Sequence, residues 1–226
     1  MPRSKHPEET KKKILDAAMV LFREKGYEDV TVLDIIAGTG DLTRGAFYHH
    51  FKNKDEVIEA IFDRRWDSEN PWASIAARKD LNGLEKLKHL LKTGVQSNTS
   101  TDYNKAVVTL ALEVLDSPRF FMEHHKGNLI QAKFVEPFIA EGMADGSIPP
   151  GNAKALSELM FLLLNFWMLP NIYPGTFEEV FARGEIVDKI FDMLGLNVID
   201  SEIEEAFAET IGFIEEVQCE KNLPAE

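Results

Sequence analysis

Apolar residues recur along this chain at the three-to-four spacing of helices. Ile14, Ala17, Ala18, Leu21 and Phe22 form one stripe. Gly26, just after Lys25, supplies the left-handed residue that closes such a helix. Thr31 with Asp34 three residues on resembles a capping box and opens a short helix with Leu33, Ile36 and Ala37 as its expected buried side. Gly38 and Gly40 keep that helix short, because each costs about 1 kcal/mol of helix propensity relative to Ala. In the next segment Leu42, Phe47 and Phe51 can face inward. Asn53 with Glu56 then caps a longer helix that buries Val57, Ile58, Ile61 and Phe62. Beyond Pro71 the periodicity predicts helices at roughly 81–97, 104–116, 118–144, 152–170, 177–194 and 201–219. The Gly- and Pro-rich stretch 145–151 reads as a loop. No alternating strand pattern and no internal repeat is present, so the expected fold class is all-α.

Composition adds three constraints. The 226 residues suffice for one or two domains, and 44% hydrophobic with 28% charged residues describes a globular chain. The single cysteine, Cys219, excludes an intrachain disulfide framework and a multi-thiolate zinc site, which fits a reducing compartment. The N-terminal stretch has no apolar signal core, and the greasy run Leu159–Pro170 falls short of the ~18 residues of a membrane span. A cytoplasmic protein without a membrane partner is expected. The net charge of −13 is unevenly spread: residues 1–55 carry ten Lys/Arg against nine Asp/Glu, the remainder fifteen against twenty-nine. Two segments of such different charge imply two jobs. The expected domains are 1–55, with the helix from Asn53 shared as a connector, and 56–226.

The chemistry of the first segment is that of duplex recognition. Residues 31–51 read as short helix, tight turn, short helix, the arrangement in which the second helix enters the DNA major groove. Gly45 and Ala46 are small enough for close backbone approach. Arg44 can form two hydrogen bonds to guanine, and Thr43 can reach phosphate or a thymine methyl. Tyr48, His49 and His50 add aromatic and polar reach. Thr31 and Lys54 each sit at a helix start, where exposed N–H groups favour phosphate. Lys11, Lys12 and Lys13, with Arg3 and Lys5, read either as a phosphate-reaching arm or as a solvated helix start.

Ile14–Ala18, Leu21-Phe22, Gly26-Tyr27, Thr31, Ile36-Ala37 and the run Thr43–Lys54 resemble the N-terminal domain of the TetR/AcrR family of bacterial transcriptional regulators, ungapped from about residue 10 to residue 62. The resemblance implies a homodimer, an all-helical ligand-sensing domain of poorly shared sequence, and repression relieved by a small molecule. It also implies that the last two main helices pair with their twins, with Phe177, Val180, Phe181, Ile186, Val187, Ile190 and Phe191 on the second of them. One departure stands in the turn, where Thr39-Gly40-Asp41-Leu42 replaces the usual Ala-Ala-Gly-Val. Asp41 either caps the recognition helix or alters the DNA contact.

Eleven of the fifteen Phe lie between Phe120 and Phe213. Most such residues are core. Trp66, Trp72, Phe120, Phe121, His124, Phe138, Phe161, Asn165 and Trp167 form the candidate small-ligand set, apolar with a few polar groups. The buried amide of Asn165 requires a partner in protein, water or ligand. His124 and His125 are neighbours that do not face one another on a helix, so no metal site and no cofactor is expected. The tail stripe Ile203, Phe207, Ile211, Ile214 and Val217 extends a dimer contact or covers a pocket. The functional expectation is a non-enzymatic, homodimeric repressor that leaves double-stranded operator DNA when a small apolar inducer binds. The alternative is a helical ligand-binding protein or enzyme with a degenerate DNA surface.

Overall fold

Eleven α-helices and one π-helical turn make up the regular structure of the described residues, and no strand occurs among them. The computed structural model describes residues 7–69 and 71–222, with side chains for 7–65 and 71–219. Arg3, Lys5 and the side chain of Trp66 lie outside the described residues. The helices are α1 (Pro7–Lys25), α2 (Val32–Gly38), α3 (Arg44–His50), α4 (Lys54–Glu69), α5 (Trp72–Ala76), α6 (Gly83–Ser97), α7 (Asp102–Val114), α8 (Pro118–Asp145) and α9 (Ala153–Leu162), followed after the π turn (Leu163–Trp167) by α10 (Phe177–Met193) and α11 (Ser201–Asn222). No helix of the described residues is long and apolar enough to cross a membrane.

The helices fall into two compact units: α1 to α4 with α7 in the first, α5, α6 and α8 to α11 in the second. This differs from an expected boundary at residue 55. Val57, Ile58 and Ile61 of α4 are fully buried, so this part of α4 is built into the first core. Helix α7 joins it through side chains that only the folded chain brings together. Arg64 Nη1 donates to Asp16 of α1 at 2.7 Å, and its Nε donates to the Tyr103 hydroxyl of α7 at 2.9 Å.

In the first unit Ile14, Ala18 and Phe22 of the expected α1 stripe are buried and Leu15 and Met19 join them, whereas Ala17 and Leu21 are only half-buried. Helix α2 is rotated from its expected register. Ile35 is its fully buried residue, whereas Leu33 stays 49% exposed. Two turns are too short to show periodicity, and the capping box at Thr31 together with the contact of Gly38 against Leu21 fixes the rotation. Phe47 and Phe51 are buried, so α3 turns one aromatic edge inward and leaves its other side in solvent.

In the second unit α8 packs on α6 and α9, and α11 on α6 and α10. Helices α6 and α8 approach backbone to backbone: a Cβ on Gly83 would lie 2.1 Å from the Gly142 nitrogen. Two α6 amides are also capped from that side, Gly83 N–H by Asp145 at 2.8 Å and Leu84 N–H by Ser147 at 3.2 Å. Asn82 and Glu85 complete a capping box at the same end.

Candidate nucleic-acid interface

The recognition helix α3 is set by local chemistry. Thr43 is its N-cap, and its hydroxyl accepts from Ala46 N–H at 3.2 Å. Asp41 is therefore not the cap. Its carboxylate accepts from Lys13 of α1 at 2.9 Å, and that bond holds its pKa below the usual carboxylate value. Of the two readings of Asp41, capping is excluded by the preference of α3 for the better-placed threonine. The turn is eased by Gly40, whose φ of +79° is one that residues with a Cβ rarely adopt.

Arg44, Gly45, Thr43, Tyr48 and His49 are exposed, and Ala46 and His50 are half-exposed. All seven lie on or beside one two-turn helix whose opposite side is anchored by Phe47. Arg44 has no side-chain bond among the described residues, so its guanidinium is available to a partner. Tyr48 stands edge-on to Phe47 at 5.4 Å and is 55% exposed. His50 packs toward Phe51, and partial burial lowers its pKa below the ordinary value, with the neighbouring His49 adding to the shift.

Thr31 and Lys54 have internal partners. The Thr31 hydroxyl and amide both donate to the Asp34 carboxylate, at 2.5 and 2.8 Å, while Asp34 N–H donates back to the hydroxyl. Asp34 is accordingly held below the usual carboxylate range, first by the Thr31 hydroxyl. Lys54 donates to the carbonyls of Tyr27 at 2.8 Å and Glu28 at 3.2 Å, and its ammonium lies 4.0 Å from the Tyr27 ring centroid. Two of its three protons are thus engaged by the loop that follows α1. The Tyr27 hydroxyl donates in turn to Asp55 at 2.5 Å, and Tyr27 N–H donates to Glu113 of α7 at 2.7 Å. Sequence reasoning missed Glu113, because nothing local marks a partner 86 positions away.

The geometry just described is that of a helix-turn-helix with its reading helix outward, and residues 14–61 match the family model for bacterial regulatory proteins, tetR family. The segment 14–61 is therefore of the tetR type. Among curated proteins it is 43% identical over 56 residues to the transposon Tn10 TetC protein of Escherichia coli. It is 29% identical over 153 residues to the HTH-type transcriptional repressor KstR2 of Mycolicibacterium smegmatis, covering 64% of this chain and 70% of that one. The TetC match covers 25% of this chain and 28% of TetC, so the strongest likeness is confined to the tetR-type segment. Over the whole fold the chain is similar to SmeT in its complex with triclosan (TM-score 0.61, 20% identity, 91% of each chain). It is likewise similar to a TetR-family regulator from Syntrophomonas wolfei (TM-score 0.60, 16% identity, 97% of this chain and 99% of that one).

The eight candidate ligand residues with described side chains do not gather at one place in the second unit. Phe120 and Phe121 lie at one end of α8 and Phe138 seventeen residues along it, about 26 Å away at 1.5 Å per residue. Trp72 stacks on Phe134 and Phe138, with centroids 5.6 and 6.3 Å apart, as part of the buried cluster with Ile75 and Leu90. Phe120 is buried, and Phe161 and Trp167 are half-buried.

His124 and Asn165 do meet. His124 donates from Nε2 to the Asn165 carbonyl at 2.8 Å, Asn165 Nδ2 donates to Asn128 at 2.6 Å, and Asn128 Nδ2 donates to the His124 carbonyl at 2.9 Å. The amide of Asn165 thus finds its partner in the protein. Phe166 faces this ring from 5.2 Å and Phe121 lies edge-on to Phe166. Burial lowers the His124 pKa, opposed by its bond to Asn165.

A separate apolar cavity of about 40 Å³ lies between α6, the π turn, α10 and α11, lined by Leu91, Val95, Leu164, Met168, Val187 and Phe207 among others. None of the eight candidates with described side chains lines it. Gly184 on α10 leaves room for the Phe207 ring, which a Cβ there would meet at 3.2 Å.

Proposed function

We propose that this protein is a homodimeric, operator-binding transcriptional regulator, a repressor released by a small apolar molecule. The observation that carries the reading is α3: a capped helix with Phe47 buried on one side and Arg44, Gly45, Tyr48 and His49 exposed together on the other. Arg44 reads guanine from that helix, Tyr48 and His49 reach flanking groups, and Thr43, Thr31 and His50 lie against phosphates. Lys54 contributes its remaining proton while holding the loop after α1. Two copies would present two such helices to successive major grooves, about 34–36 Å apart.

A second copy of the chain is supported by apolar residues left in solvent on the α9 and α10 pair, among them Leu162, Phe181, Ile186 and Met193. The apolar character of the inducer is supported by the cavity walls, whose exposed atoms are apolar. KstR2 is described as a repressor and SmeT is seen with triclosan, which favours the same two properties here. The degenerate-surface alternative drew on Asp41, and the ion pair with Lys13 offsets the charge that motivated it.

The test is a fluorescence-anisotropy titration of a duplex taken from the DNA flanking the protein's own gene, repeated at several salt concentrations. The reading expects saturable binding that weakens steeply with salt, because bound cations displace counterions. Binding no tighter than to a scrambled duplex would refute it.

A further inference from the structure

We infer that Glu113 is the positioning residue through which α7 carries regulation into the DNA-reading unit; this rests on the function proposed above. Helix α7 is packed into the first unit, although the segments on either side of it in the chain belong to the second. It is fastened at both ends. At its start the Tyr103 hydroxyl accepts from Arg64, which also bonds Asp16, and the guanidinium lies 4.8 Å from the Tyr103 ring centroid. At its end, about 15 Å along the axis, the Glu113 carboxylate accepts from Tyr27 N–H at 2.7 Å.

The second fastening is the informative one. Tyr27 opens the loop that leads to Thr31 and α2, and its other polar atoms are gripped by α4, the carbonyl by Lys54 and the hydroxyl by Asp55. Gly26 beside it has φ +78°, and a Cβ there would meet the Glu113 oxygen at 2.8 Å. The loop is therefore shaped around this carboxylate. A shift of α7 transmitted from its flanks would pull on Tyr27 N–H, and with it on the start of α2 and the seat of α3.

Linkage makes the test independent of the inducer, because a coupling free energy acts equally in both directions. Amide hydrogen exchange is measured on the full chain, free and saturated with the duplex used above, for the parent, Glu113→Ala and Glu113→Gln. In the parent, DNA is expected to change exchange in α6 and α8, the helices flanking α7 in the chain. Glu113→Ala should abolish that change while the duplex remains bound, and should speed exchange of the Tyr27 amide at least tenfold. Glu113→Gln keeps an acceptor oxygen in place and should restore both. A DNA-induced change that survives in Glu113→Ala, or that is absent from the DNA-bound parent, would overturn the inference. Failure of the parent to bind the duplex would instead strike the reading on which it rests.

Discussion

Single side chains in the helix-turn-helix divide by what already holds them. Arg44 is exposed and unbonded among the described residues, so its replacement should leave the fold alone and act on recognition. Arg44→Ala is expected to lose about 1–3 kcal/mol of discrimination at one guanine position, read by competition with duplexes altered there, with an unchanged thermal midpoint. Lys54 predicts the opposite pattern. Its ammonium holds two carbonyls and an aromatic face, so Lys54→Met should lower the unfolding free energy by about 1–2 kcal/mol in urea titrations. A fully stable Lys54→Met protein would show those bonds to be dispensable. Thr43→Ala should cost about 1 kcal/mol as a lost cap, whereas Asp41→Gly should leave helix content and thermal midpoint unchanged, since its pair with Lys13 is exposed.

At the scale of the element, close packing and burial decide the outcome. Gly83→Ala forces a methyl into the backbone of α8 and should destabilise by about 1–3 kcal/mol or more, visible as a lower melting temperature. His124 governs the pH response at the π turn. Its folded pKa lies below the ordinary 6.5 because of burial, so the unfolded chain takes up its proton first. Stability is then complete above about pH 6.5 and falls as the pH drops below it. His50 acts in the same direction. Urea midpoints at pH 7.5 and 5.5 should differ in the parent and differ less in His124→Gln.

The same scale shows how far the sequence was legible. Helices α6, α8 and α10 lie within two residues of their expected bounds, because the caps Asn82 and Thr176, Pro118 at the first position of α8, and long apolar stripes are local features. The π turn was hidden inside the predicted helix 152–170, since that run is apolar nearly all round and a shift of helical phase leaves no mark on such a pattern. Helix α5, five residues long, is too short to have a period. The helix-turn-helix residues were legible because one short segment carries them all. The proposed ligand set was not, because aromatic content says nothing about which of 28 positions on α8 face one another with residues from other helices. Asn165 was correctly read as needing a partner, but that partner, Asn128, is 37 residues away.

For the whole molecule the relevant quantity is the distribution of charge. A chain of net −13 can bind a polyanion only through a locally balanced surface, and residues 1–55 provide one. In the proposed dimer the acidic remainder would confine contact to the two reading helices, and the proposed inducer would need only about 1–3 kcal/mol of coupling to change affinity 5–150-fold. The most direct test is a nuclease footprint on the DNA flanking the protein's own gene, run with the parent and with Arg44→Ala. The account predicts two protected half-sites related by dyad symmetry for the parent, and protection lost or relaxed in sequence for the variant. A footprint identical for both proteins, or none for the parent at concentrations that protect DNA with any sequence-specific regulator, would contradict it.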